Sequence, residues 1–257
     1  MPIVTTDTGR PPRLTRLVFH GPLSETRADR VVRRLVRTDP ATVLDIGCGW
    51  GELTLRLLAA APGATAVGLD INAEDLARAR REAGARGLAD RVEFVKASVE
   101  EAARGPADLV LCVGSGQALS TAAPPGHTVE ALRKLRRLVN PGGRVLFGEG
   151  FWQRTPTPAE LSRMWPGASA DEHLDLAGLV DTAVAAGFRP EWTETANEDE
   201  WEEFESGYLA GEEEWLAAHP DHPLAAEVRE RADRHRAAWM AYRGVLGMAY
   251  LTLIPAS

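Results

Sequence analysis

Cysteine, lysine and long apolar runs are what this chain has least of. Its two cysteines, Cys48 and Cys112, are too few for a disulfide framework. Both fall inside segments that read as core, so buried free thiols are expected. Lysine occurs only as Lys96 and Lys134, and arginine carries nearly all the positive charge. Against 29 Lys and Arg stand 37 Asp and Glu, a net charge of -8. That balance gives no basic footprint for nucleic acid and ranks polynucleotide substrates low. No stretch is apolar for long enough to span a membrane, and the first residues, with Asp7, Arg10 and Arg13, do not read as a signal peptide. A cytoplasmic protein without a membrane partner is the expectation. At 257 residues the chain can bury a sizeable core, as one α/β domain with an elaboration.

What is present is a glycine turn between a strand and a helix. Val43, Leu44 and Ile46 read as a buried parallel strand, Gly47, Gly49 and Gly51 let the backbone turn and approach a ligand, and residues 52–61 continue as a helix. Free backbone N–H groups beside such a turn make a site for a nucleotide-like ligand. A dinucleotide fingerprint needs a third glycine where Glu52 stands, which argues against NAD. Asp45 suits a ligand whose nearest group is a cationic amino acid, because a carboxylate repels phosphate. A second apolar strand, 65–69, ends at Asp70, which can accept the hydroxyls of a ribose; Ile71 can lie against a base. Asn72 then caps a helix over 73–83.

The remaining elements continue the alternation of strand and helix. Ser24 caps a helix with apolar positions Ala28, Val31, Val32, Leu35 and Val36, and Leu23 is placed to staple it. Strand three, 91–95, leads to Ala97, Ser98 and Val99. Strand four, 108–113, leads to Val113 and Gly114, where ligands of an open α/β sheet bind. A helix over 128–138 precedes Asn140, Pro141, Gly142 and Gly143, which turn into strand five, 144–148. A helix over 174–186 and strand six, 188–195, follow. Residues 197–215 hold nine Asp or Glu and no Lys or Arg, with Trp201, Phe204, Tyr208, Leu209 and Trp215 near helical spacing. A second helix is expected over 224–246, and 248–254 closes as an apolar strand.

In order and spacing, Asp45, the three glycines, Asp70 and the Asn140–Gly143 turn resemble the class I S-adenosylmethionine-dependent methyltransferases. Residues 19–24 and 148–154 resemble a branch acting on small molecules. The resemblance implies a Rossmann-like seven-stranded α/β sheet, mostly parallel with an antiparallel seventh strand. An N-terminal lid helix and a helical insertion between strands six and seven complete it. Residues 1–40 are then a loose leader and lid helix, 41–196 the cofactor-binding core, 197–244 a helical cap and 245–257 the final core strand.

The implied cofactor is S-adenosyl-L-methionine, contacted by Asp45, Gly47, Cys48, Gly49, Gly51, Asp70, Ile71, Ala97, Ser98, Val99, Val113 and Gly114. Many family members carry Asp where Ser98 stands, so serine or a backbone carbonyl must hold the adenine here. His20 and Glu149 are the candidate acid–base residues; a loop histidine and a structural Glu–Arg pair are the alternatives. Trp152 and Arg154 are candidate substrate contacts, as are Tyr208 and Tyr242, although aromatic residues in such helices are more often core. His219 and His222 complete no metal site. The tetrapeptide that grips planar amines in DNA and protein-N methyltransferases is missing after strand four.

A small-molecule substrate is the expected partner, with a homodimer left open. Methyl transfer to an O, N or S atom leads. Cyclisation or aminocarboxypropyl transfer with the same cofactor, and a vestigial cofactor-binding protein, are the alternatives.

Overall fold

Successive side chains of a strand point to opposite faces, so the apolar residues divide between two cores. Val43, Leu109, Leu111, Met248 and Tyr250 face one; Leu44, Val110, Cys112, Ala249 and Leu251 face the other. A sheet with both faces apolar must be covered by helices on both sides, as the computed structural model shows. It describes residues 9, 11, 13–102 and 104–256, with the side chain of Glu100 left aside. Most of the expected leader therefore lies outside the described residues.

In chain order the elements are α1 (Glu25–Leu35), β1 (Thr42–Ile46), α2 (Glu52–Ala60), β2 (Thr65–Asp70), α3 (Ala73–Ala85), β3 (Val92–Lys96), α4 (Val99–Ala102) and β4 (Ala107–Val113). The second half holds α5 (Gly126–Leu138), β5 (Val139–Trp152), α6 (Pro158–Leu161), α7 (Leu176–Ala185), β6 (Phe188–Thr195), α8 (Glu198–Ala218), α9 (Ala225–Tyr242) and β7 (Leu246–Pro255). The sheet order is β3-β2-β1-β4-β5-β7-β6, with β7 antiparallel to both neighbours. The order reverses between β1 and β4, the crevice where open α/β sheets bind ligands. α1, α2 and α3 supply Val31, Leu55 and Leu76 to the first core, and α5 and α7 supply Leu132, Leu135 and Leu179 to the second.

Helix ends follow local chemistry. The Ser24 side chain accepts from the Arg27 N–H at the start of α1, and Asn72 accepts from the N–H groups of Glu74 and Asp75 at the start of α3. α7 starts at Leu176, later than expected, because Asp175 is the cap, accepting from the Gly178 N–H. α9 ends at Tyr242, ahead of Gly244 in the left-handed region at φ +72°.

One strand departs from expectation. β5 runs on to Trp152, because its second half pairs with β7, from Val145 opposite Leu253 to Trp152 opposite Leu246. Glu149 and Trp152 therefore lie within a strand and not on a loop beyond it. Among the described residues no helix is long and apolar enough to cross a membrane.

Candidate active site

The turn after β1 is built to expose backbone. Gly47, Gly49 and Gly51 all adopt positive φ, at +67°, +54° and +71°. At Gly47 a Cβ would lie 2.3 Å from that of Ser115, whose hydroxyl donates to the Ile46 carbonyl at 2.6 Å. Only glycine lets the loops after β1 and β4 interlock there. The loop is also tied to β2: the Cys48 N–H donates to the Leu69 carbonyl at 2.9 Å and the Gly49 N–H to Asp70 Oδ2 at 2.8 Å. The other Asp70 oxygen accepts from the Asn72 N–H at 2.8 Å. Asp70 is thus fixed by two backbone donors, with lone pairs left on both oxygens for a ligand.

These loops line a cavity of about 570 Å³ at the carboxyl ends of β1, β2 and β4. Asp45 is buried on its wall, its Oδ2 accepting from the Thr54 hydroxyl at 2.5 Å. Burial, with a contribution from the Asp70 charge, pushes its carboxyl up to about 7 against the Thr54 hydrogen bond. A buried acid in that state is a receptor for a cation, which restores the ionised form. Burial also raises the Cys48 thiol, so that side chain is an inert wall. At the rim, His20 stacks on Trp50 with ring centroids 5.3 Å apart. Burial lowers its pKa against the opposing charge of Asp75, which leaves a neutral imidazole at physiological pH.

Asp45, Gly47, Cys48, Gly49, Asp70, Ile71, Ala97, Ser98, Val99, Val113, Gly114 and His20 all line this cavity. Gly51 does not: it precedes α2, and a Cβ there would meet the Phe94 ring at 2.6 Å, so its place is in packing. Glu149 lies behind the loop after β4, its Oε2 against Gly116, where a Cβ would sit 2.3 Å away.

Four other candidates are directed elsewhere. Trp152 donates from Nε1 to the Ala170 carbonyl at 2.9 Å and packs with Met164 and Val245. Arg154 is paired with Glu160 at the surface. The Tyr242 hydroxyl donates to buried Glu205 at 2.5 Å. Tyr208 stacks on His235 at 4.2 Å. The extension of β5 and the packing of α8 on α9 account for these placements.

Phe19, Leu23, Gln117, Phe204 and Tyr250 also line the cavity and were not singled out as site residues. Phe204 had a signal, the helical spacing of aromatic residues in α8, but nothing local distinguished the one that reaches the site. Tyr250 is brought in only by the insertion of β7 between β5 and β6.

The cavity fits a nucleoside with a charged amino-acid tail. It has a buried carboxylate for a cation, a glycine turn that lets a ligand come close to the backbone, a fixed carboxylate for vicinal hydroxyls, and residues after β3 to flank a base.

Residues 43–143 match a protein-family model described as methyltransferase domain. Across 239 residues the chain is 29% identical to YjhP of Escherichia coli (strain K12), covering 92% of this chain and 93% of that one. It is 35% identical over 144 residues to the release factor glutamine methyltransferase of Bradyrhizobium diazoefficiens, a match spanning 56% of this chain and 46% of the relative. A solved SAM-dependent methyltransferase from Geobacter sulfurreducens, in complex with S-adenosyl-L-homocysteine, superposes with a TM-score of 0.79 at 25% identity. That superposition covers 95% of this chain and 98% of the other.

Proposed function

We propose that this class I S-adenosylmethionine-dependent methyltransferase methylates a nucleophilic O, N or S atom of a small metabolite by in-line displacement. The observation that carries this reading is the pair of carboxylates on one cavity, Asp45 below the glycine loop and Asp70 beside it. Asp45 receives the ammonium of the cofactor, the glycine turn lets its amino-acid end lie close to the backbone, and Asp70 takes its ribose. Ile71, Ala97, Ser98 and Val99 flank the adenine. When bound, S-adenosylmethionine supplies a methyl group already activated by a sulfonium. The protein has then to align the acceptor, exclude water and take up a proton where the acceptor loses one.

A small acceptor is supported by the roof over the cavity, where Phe204 of α8 joins the wall. On this reading 41–196 with 245–257 forms the cofactor core, 1–40 the leader and lid, and 197–244 the cap. The relative acting on a release factor matches over less than half its length, and the segment after β4, Gly114-Ser115-Gly116-Gln117, lacks the amine-gripping tetrapeptide. Two free thiols fit a cytoplasmic setting.

The test is incubation with methyl-labelled S-adenosylmethionine and the small-molecule, protein and nucleic-acid fractions of a cell extract. Label in the small-molecule fraction, with stoichiometric S-adenosylhomocysteine, is expected. Label in a macromolecular fraction refutes the acceptor class, and accumulation of methylthioadenosine points to aminocarboxypropyl transfer.

A further inference from the structure

Beyond the residues assigned to the cofactor, the side chains that face the cavity include Phe19, His20, Leu23, Gln117, Phe204 and Tyr250. Among the described residues that line it there is no Lys or Arg, whereas Asp45, Glu52 and Asp70 all do. The arginines nearby are committed elsewhere. Arg27 is bound to Glu200 at 2.7 Å, and Arg56 to Glu25, Asp29 and Glu52. Arg78 lies over the Trp50 ring and donates to the carbonyls of Leu14 and Leu17. The Tyr250 hydroxyl donates to the Pro22 carbonyl at 2.9 Å, so toward a ligand its oxygen offers only a lone pair. What remains for an acceptor is aromatic surface, the His20 imidazole and the exposed Gln117 amide.

We propose that the acceptor enters this cavity without a negative charge, as an apolar or aromatic body bearing a protonated hydroxyl, a thiol or an amine, and that molecules carrying a carboxylate or phosphate are excluded. The proposal rests on the cofactor reading given above. An anion brought against this wall is desolvated with no cationic side chain among the described lining residues and lies near carboxylates of its own sign. A neutral aromatic loses little on entering and gains the faces of Phe19, Phe204 and Tyr250.

With a hydroxyl or thiol acceptor, the nucleophile's electron pair closes on the methyl carbon as the carbon–sulfur bond breaks, and the pair of that bond stays on sulfur. The acceptor's proton passes to His20 and on to water. With an amine acceptor, the proton leaves the methylated ammonium to water.

The experiment is calorimetric titration of the protein, saturated with S-adenosylhomocysteine, with matched probes: 2-naphthol and 2-naphthylamine against 2-naphthoate. The neutral probes are expected to bind at least about tenfold tighter than the anion. Gln117→Lys, which adds a cation at an exposed position of the rim, should tighten naphthoate binding and narrow that ratio. Naphthoate binding the parent as tightly as naphthol, or both neutral probes failing to bind the S-adenosylhomocysteine complex, overturns the proposal. A parent that does not bind S-adenosylhomocysteine overturns the cofactor reading, and the proposal falls with it.

Discussion

Glu200 of α8 accepts two hydrogen bonds from Ser24, the cap of α1 and 176 residues away in sequence: from its N–H at 3.1 Å and its hydroxyl at 2.7 Å. The same carboxylate accepts from Arg27 Nε at 2.8 Å and Nη2 at 2.7 Å, and from the Asn197 N–H at 2.9 Å. One group therefore serves the N-termini of two helices. Leu23 and His20 lie just before Ser24, and Phe204 lies one turn after Glu200, so the bond joins the rim of the cavity to its roof.

Burial pushes the Glu200 carboxyl up, but the bonds from Arg27, Asn197 and Ser24 outweigh it and hold the group at about 2. A depressed acid contributes stability that is present above its unfolded value of 4.5 and lost as pH falls through 2. Glu200→Gln should therefore cost about 2–4 kcal/mol at pH 7. The gap between variant and parent should close as pH falls from 4.5 toward 2. Urea denaturation at several pH values measures both, and a gap that stays constant with pH excludes this account.

Replacing Asp70 with alanine removes the acceptor of the Gly49 N–H together with the expected ribose contact. Hydrogen bonds to charged groups contribute about 1.5–3 kcal/mol, so the dissociation constant for S-adenosylhomocysteine should rise roughly 10- to 100-fold. Calorimetry on folded variant protein checks this; unchanged affinity would leave the ribose assignment without support.

Asp45 links cofactor affinity to pH. Its carboxyl is raised to about 7 chiefly by burial, so its share of stability is intact below the unfolded value of 3.8 and declines as pH rises to 7. A bound ammonium favours the ionised form. S-adenosylhomocysteine should then release up to about one proton on binding near pH 6 and bind more weakly as pH falls from 7 to 5. Titrations in buffers of different ionisation enthalpy count that proton, and Asp45→Asn should abolish its release.

Glu149 is buried, with one oxygen accepting from the Gly150 N–H at 3.0 Å and the other without a hydrogen-bond partner among the described residues. Burial raises its carboxyl to about 7, against the Gly150 bond, so its stability share falls between pH 4.5 and 7. Glu149→Gln, which cannot ionise, should show a shallower decline over that window, by about 1–3 kcal/mol. Its affinity for S-adenosylhomocysteine should stay within about threefold of the parent's. Turnover lost with fold and affinity intact would place Glu149 at the reacting atoms.

By itself the sequence determined the glycine turn, the strand-ending carboxylates Asp45 and Asp70, and the alternation of strands and helices. Each is a local matter: positive φ, an apolar run, a cap. Only the tertiary structure decided what faces the acceptor. Phe19, Phe204 and Tyr250 come from three distant segments, and no local periodicity says which aromatic residue of a helix or strand reaches a cavity. Glu149 and Trp152 left the mouth of the site for the same reason. β7 pairs with β5 from Leu246 to Leu253, and a long-range hydrogen-bond register is a property of two strands together, which neither strand's own residues can state.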